Sequence, residues 1–574
     1  MLAAPRYNQI PIIIGVTGHR DLVESEIPGI RRQIVEFLND IRTLCPATDI
    51  ILLTPLAVGA DRLVAACALE IPQTSIFAAL PFSEPEYEKD FSSPDSIQAF
   101  REFLRIADRK LVISRDPTND SERDQAYESV GRWVARHSHI LLTLWDGTDT
   151  QLKGGTAAII RYKLDGCTDY LHADSLLSIG ASNLVHVEPG RVLHIDVNRL
   201  RSVVTHPLES PRWISLSAFD KESNNQAQEF YNEIGLRNDQ VLKWTERFNK
   251  DIANSRSDNL SNDDFYSTAN ELARKYKQMS VTLIQAMFGL AVPAILITQS
   301  SIKFSTPWHI LFATITITIF LVLIGIYTLI GCKEKADSYR GLAEAVRVQN
   351  AWEFAGITQT HGHLTNHLQA ADFFLLQQPG DLDWIRRAVR SVSLLCEKTT
   401  TKKISAEQFI LIRDGWIIEQ MQYFAHASSR LEKSAHLIKR ITNYLFIMSL
   451  LFEAPHAISL LLNNHLVSES VLDACLYISS FCFAIASSYK AYGFVMMYEE
   501  DAVSYTGMHQ LFKRAVKMLE PLPMHNWPKN FGAAQGIIER LGKESLAENS
   551  HRTIVRYYRN TEPPGLDITV EGKK

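Results

Sequence analysis

Between Val281 and Ser301 the chain carries no charged side chain, and beyond Lys303 a second uncharged run extends from Phe304 to Cys332. Each run is about as long as a helix needs to cross a hydrocarbon core of roughly 30 Å. In such a core every backbone N–H and C=O must be satisfied within the segment, so each run can only be a helix. Ser300, Ser301, Lys303, Ser305 and Pro307 supply turn chemistry between the runs. The pair therefore reads as a transmembrane hairpin over residues 281–332. Pro293 lies inside the first run, where a membrane helix tolerates it. The competing reading is a pair of apolar core helices, but uncharged runs of this length are rare in a water-soluble core.

The rest of the chain is different in character. Its 574 residues leave room for three or four domains. Lys and Arg number 59 against 64 Asp and Glu, and no basic block offers the electrostatic footprint a nucleic acid needs, so no nucleic-acid partner is expected. The seven cysteines are scattered without CxxC pairs, which argues for reduced thiols and against a disulfide framework or a structural metal. No metal and no cofactor is expected. The apolar run ending at Gly15 is too short and too β-branched for a signal peptide, so the front of the chain is expected to stay in the cytoplasm.

In that front part, β-branched runs alternate with helical periodicity. Strands are expected at Ile10–Thr17, Asp49–Thr54, Ser75–Leu80, Lys110–Ser114 and His139–Leu144. Helices are expected after Pro28 and over Arg62–Leu69, Ser96–Ala107, Asp120–His137 and Ala157–Leu164. Five such alternations make an α/β domain with a doubly wound, Rossmann-like parallel sheet. Sheets of this kind bind ligands beyond the carboxyl ends of their strands. Three turns fall there: Thr17, Gly18, His19 and Arg20 after the first strand; Gly59, Ala60 and Asp61 after the second; Asp146 and Gly147, then Gly154, Gly155 and Thr156, after the fifth. Glycines at a helix N-terminus let backbone N–H groups approach an anion, and the helix dipole favours negative charge. Each residue also has a plain structural use: Gly18 as a tight turn, Asp61 as a helix cap, His19 as a hydrogen-bonded loop residue. Residues 184–197 read as a β-hairpin, and 218–277 as a polar helical stretch joining this domain to the first span.

The back half repeats itself. Ala336-Asp337-Ser338-Tyr339-Arg340-Gly341-Leu342 recurs, 166 residues later, as Ala502-Val503-Ser504-Tyr505-Thr506-Gly507-Met508. The same offset carries the first hairpin onto a second apolar pair within 441–497, interrupted by Glu453. An ionisable residue inside a span is expected to face a pore or another helix. Lys and Arg flank both hairpins on the side of the chain termini, and only Lys303 lies in a hairpin turn. The positive-inside rule then puts both termini and residues 333–440 in the cytoplasm of a multi-pass inner-membrane protein.

Val16-Thr17-Gly18-His19-Arg20, Gly59-Ala60-Asp61 and Gly154-Gly155-Thr156 resemble the SLOG superfamily, which includes the LOG phosphoribohydrolases and the ligand-sensing domain of TRPM channels. The resemblance implies a nucleotide-derived ligand. Where the LOG motif carries its catalytic glutamate, this chain has Ile159, so no catalytic residue is assigned; a membrane-tethered nucleotide hydrolase remains the alternative. Tyr339–Gln349 with Trp352, and Trp416–Gln420 with Tyr423, look like the SLATT membrane module. SLOG–SLATT proteins are grouped with bacterial nucleotide-triggered conflict systems, which implies a pore-forming effector in anti-phage defence. The expected organisation is a sensing domain (1–200), two SLATT-like units (218–357 and 358–520) forming an all-α transmembrane part with two helical hairpins, and a cytoplasmic tail (521–574). Four spans with few intramembrane charges cannot line a wide aqueous path alone, so a homo-oligomer in a lipid bilayer is expected.

Overall fold

The structure is a computed structural model that describes residues 9–149, 154–165, 190–201, 207–214, 239–255, 265–303, 307–357, 369–374, 382–396, 405–462, 468–522 and 527–559. The chain is an α/β domain with a mostly parallel sheet, followed by a helical part with four long apolar helices. It divides into two compact units, neither of them one continuous stretch. One comprises residues 1–270, 341–408 and 538–550; the other comprises 271–340, 409–537 and 551–574.

The first unit is built on seven strands: β1 (Ile12–Gly18), β2 (Ile50–Thr54), β3 (Thr74–Leu80), β4 (Arg109–Val112), β5 (Ile140–Trp145), β6 (Arg191–Asp196) and β7 (Arg212–Ile214). Their order is β4-β3-β2-β1-β5-β6-β7, parallel except for β7, which runs antiparallel to β6. The five expected strands are present within a residue or two. Two more extend the sheet beyond β5. Of the hairpin expected at 184–197, the first arm lies outside the described residues; the second arm is β6, which pairs parallel to β5 and antiparallel to β7.

Because helices cover both faces of the sheet, alternating side chains of the central strands β1, β2 and β3 are buried on either side. Ile12, Ile14 and Val16 of β1 face one core with Ile50, Leu52, Ile76 and Leu80, while Ile13, Ile51, Leu53 and Phe77 face the other. Helices α1 (Ile27–Leu44), α2 (Ala60–Ala68) and α3 (Pro94–Ile106) pack on the first face, and α4 (Asp120–His137) and α5 (Thr156–Leu164) on the second. Each fully buried Ile, Leu or Phe contributes about 1.5–3 kcal/mol.

Within the stretch expected to join the sheet to the membrane, helix α6 (Gln240–Ser255) is instead tied to the sheet. Asn249 accepts from Ile10 N at 3.1 Å and donates to Ile10 O at 2.8 Å, and Glu246 accepts from Thr48 Oγ1 at 2.7 Å. Trp244 stacks on Trp384 of α10 (Asp383–Cys396), with ring centroids 5.6 Å apart and planes 6° from parallel. The remainder of that stretch, apart from residues 265–277, lies outside the described residues.

In the helical part, α7 (Phe265–Lys303) and α8 (Pro307–Ile330) form the first apolar pair, and α9 (Cys332–Phe354) follows. The second pair is α11 (Glu419–Leu462) and α12 (Glu469–Met496), followed by α13 (Tyr498–Leu519); α14 (Trp527–Tyr558) closes the described chain. Among the described residues, four helices are long and apolar enough to cross a membrane. Their apolar side chains stand outward: Leu329 is 88% exposed, Leu461 84% and Trp308 68%. In water such surfaces would drive aggregation.

The repeat is visible in the backbone. The helix before Ala336 ends at Ile330 and the next begins at Cys332; the helix before Ala502 ends at Met496 and the next begins at Tyr498. The single residues between them, Gly331 and Met497, both adopt positive φ (64° and 56°), and they are 166 residues apart. Glycine takes that conformation freely, whereas methionine takes it under strain.

Within the second unit, Arg556 of α14 joins the two repeats. Its Nε donates to Asp501 Oδ1 at 3.3 Å, a second nitrogen bonds the other Asp501 oxygen, and Nη1 lies 3.7 Å from Asp337 Oδ1. Both carboxylates are mostly buried. Removing one member of a buried ion cluster strands the others. Arg556→Met should therefore lower the unfolding free energy of the detergent-solubilised protein by about 3 kcal/mol. Adding Asp501→Asn to that variant should recover part of the loss. Denaturant titration followed by tryptophan fluorescence measures both.

Candidate functional site

Strand order reverses between β1 and β5: β2, β3 and β4 extend to one side, β6 and β7 to the other. A crevice opens at such a switch because the connections leave in opposite directions, and ligands of open parallel sheets bind there. The turn after β1 and the turn after β5 flank it. In register, Gly18 lies opposite Leu144. His19 N donates to Leu144 O at 3.0 Å, and Ala60 N donates to His19 O at 3.0 Å. The turn after β1 is thus locked by backbone to the turn after β2 and to the end of β5.

Two glycines permit this. A Cβ on Gly18 would stand 2.5 Å from Ala60 Cβ and 2.8 Å from Leu144 O. Gly59 has φ +88°, and a Cβ there would stand 2.5 Å from Arg20 O and 2.6 Å from His19 O. Neither position accepts a side chain without moving the backbone. Gly154, at φ +73°, lies against the backbone of Glu128 on α4, where a Cβ would approach within 3.0 Å. Gly155 is the N-cap of α5 and Thr156 its first residue. This turn therefore rests on α4 beside Tyr127, over whose ring Arg20 lies at 4.9 Å. Gly147 also has positive φ, with open space around it. Thr17 sits within β1 opposite Thr143 and is half-buried.

Across the switch, His19 Nε2 lies 3.0 Å from Asp146 Oδ1. Burial holds the imidazole below its ordinary pKa, outweighing the attraction of Asp146. Burial alone would raise the Asp146 carboxyl, but the Thr148 N–H, His19 and Arg199 hold it below the usual range. A neutral imidazole beside a carboxylate follows. Arg199, just beyond β6, lies 3.9 Å from Asp146 and 3.0 Å from Asp21. Asn198 Nδ2 donates to Glu26 at 2.7 Å, and Leu200 N to Asp21 O at 2.9 Å. The loop after β1 is therefore stitched to the loop after β6, and the charges at the switch neutralise one another. Sequence reading did not single out Arg199 or Asp21. Their relevance depends on β6 lying beside β5, which no local pattern shows.

Asp61 does not cap α2. It is 5% exposed, and its Oδ2 accepts from Ala57 N at 3.1 Å, closing the turn before the helix. Burial raises the carboxyl to about 7, although the Ala57 hydrogen bond, Arg20 and Arg62 oppose the shift. Glu453, on the second apolar pair, is exposed on α11. Ile159 is 2% exposed, and its side chain fills the space beside Gly131.

The raised Asp61 carboxyl has a stability consequence with a definite sign. The folded chain holds this proton more tightly than the unfolded chain does. Its contribution is thus complete below the ordinary carboxylate range and is eroded as pH rises toward about 7. Asp61→Asn keeps the acceptor for Ala57 and removes the titration. Between about pH 5 and about pH 8 the wild type should lose about 3 kcal/mol more stability than Asp61→Asn, measured by denaturant titration of the full chain.

No family profile matches the chain, and no curated protein matches it either.

Proposed function

We propose that this chain is a membrane-anchored sensor of a nucleotide-derived ligand, whose SLOG-like domain controls a SLATT-like pair of helical hairpins that permeabilise the bacterial inner membrane, a role suited to anti-phage defence. The supporting observation is one chain that combines glycine-built turns at the switch point of a parallel sheet with four apolar helices. Both termini face the cytoplasm in this reading, because Lys and Arg flank the hairpins on that side. Ile159, standing where the LOG motif has its glutamate, is packed among apolar groups. That favours ligand sensing over the alternative, a membrane-tethered hydrolase. The effector acts as a homo-oligomer. A carboxylate facing lipid at mid-span costs about 2.5 kcal/mol or more, so Glu453, exposed on the single chain, faces water or a second copy in the assembly.

Coupling requires that the ligand bind one membrane arrangement better than the other. Helix α7 runs unbroken from charged Arg274, Lys275 and Lys277 into the uncharged span, which suits it to carry a tilt or rotation. In cells loaded with a membrane-potential dye, the full chain plus its nucleotide should depolarise the membrane. Gly155→Trp should abolish the response at unchanged expression, and a Gly/Ser insertion between Ser255 and Phe265 should uncouple it while sparing ligand affinity. Depolarisation by Gly155→Trp at the wild-type level would remove the turn before α5 from the trigger. Release of free base from a nucleoside monophosphate by the purified chain would favour the hydrolase.

A further inference from the structure

A second cluster lies over the ends of β1, β2 and β3, on the other side of β1 from Asp146. Its centre is Tyr87, which ends the short helix Glu84–Tyr87 after β3 and is 1% exposed. The Tyr87 ring lies 5.1 Å from Phe91, 5.4 Å from Phe100 and 5.6 Å from Phe82. Its hydroxyl is buried without a hydrogen-bond partner. Leaving such a group unpaired is costly, and native structures rarely do so without use.

Arg62 lies over the Phe91 ring at 4.5 Å. Its Nε donates to Leu56 O at 3.0 Å and its Nη1 to Ser96 O at 2.9 Å, while Nη2 is buried and unpartnered. Arg20 extends over Tyr127 from the neighbouring turn and makes no ion pair among the described residues. Arg20, Arg62, Tyr127 and Asp61 all act electrostatically on the Tyr87 hydroxyl. The nearby carboxylates are already engaged: Asp61 accepts from Ala57, Glu86 pairs with Arg123, and Asp90 bonds Arg123 and Tyr127.

The unspent buried capacity here is the Tyr87 hydroxyl and Arg62 Nη2, both donors, and the exposed Arg20 beside them adds a second cation. A water molecule could satisfy the hydroxyl but would leave the buried Arg62 Nη2 without an anionic partner. What fits is a compact anion with several acceptor oxygens, and a guanidinium forks readily onto two oxygens of a phosphoryl group. We propose that Arg20, Arg62 and Tyr87 form an anion subsite that takes a phosphoryl group over the carboxyl ends of β1 to β3. The proposal rests on the nucleotide-sensing reading only for the identity of the molecule that carries the phosphoryl group.

The experiment uses the full chain in phosphatidylcholine nanodiscs, titrated with inorganic pyrophosphate by calorimetry and thermal melting. Tyr87→Phe should weaken binding about tenfold or more, and the melting temperature without anion should stay the same or rise, because the variant removes an orphaned hydroxyl. Arg20→Ala should abolish binding. A Tyr87→Phe protein that melts lower without anion and binds pyrophosphate like wild type would overturn the subsite, since the hydroxyl would then serve packing or a structural water. Competition by phosphatidylglycerol in the nanodisc would support the anion subsite and overturn its assignment to a soluble nucleotide. Nucleotide-triggered depolarisation by Tyr87→Phe at wild-type strength and dose would overturn the subsite and keep the sensor. Loss of pyrophosphate affinity in Tyr87→Phe, with no nucleotide depolarising wild-type cells, would keep the subsite and overturn the sensor.

Discussion

At the carboxyl end of β1 the turns after β1 and β2 meet the end of β5 in a space that excludes even one methyl group. Gly18 touches both Ala60 and the Leu144 carbonyl, and Gly59 is pressed against the carbonyls of His19 and Arg20. The hydrogen bonds from His19 N and Ala60 N lock this arrangement. The two polar environments beside β1 follow from it. His19 is held toward Asp146 on one side of β1, and Arg20 is directed over Tyr127 on the other. Two neighbouring residues thus serve two different environments.

Those environments differ in electrostatic balance. Around Asp146, carboxylates and cations are matched through Arg199 and Asp21, and the loops after β1 and β6 close over them. Around Tyr87, rings fill the space between arginines, and donors outnumber free acceptors. Placing cations over aromatic faces keeps them charged at low cost in hydration. This is a sound way to hold positive charge ready for an anion.

The helical part obeys a different solvent. Its long helices satisfy their own backbones and leave large apolar side chains on the outside, the reverse of the sheet, where both faces are covered. The repeated break at Gly331 and Met497 separates each apolar helix from a polar one that carries buried charge. Arg556 then joins the two repeats through Asp337 and Asp501. Methionine at the second break shows that the bend is imposed by packing, since nothing in its own preference favours positive φ.

Local pattern alone determined much of this protein. Uncharged runs marked the spans, β-branched runs marked five strands, and the A-x-S-Y-x-G repeat placed the second pair of helices, because each signal is carried by consecutive or periodic residues. The glycines of the three turns were also legible, since a turn that needs positive φ or a close backbone approach favours glycine. Strand order was not legible. It depends on which strands pair across more than a hundred residues, and it alone placed the switch beside His19 and brought Arg199 to Asp21. Asp61, in sequence a candidate ligand residue with a helix cap as its plain alternative, closes the turn before the helix, because burial and the Ala57 N–H act in three dimensions. Tyr87 and Arg62 carried no sequence signal at all. A tyrosine among phenylalanines reads as core, and only the tertiary structure shows that its hydroxyl is buried without a partner beside two arginines.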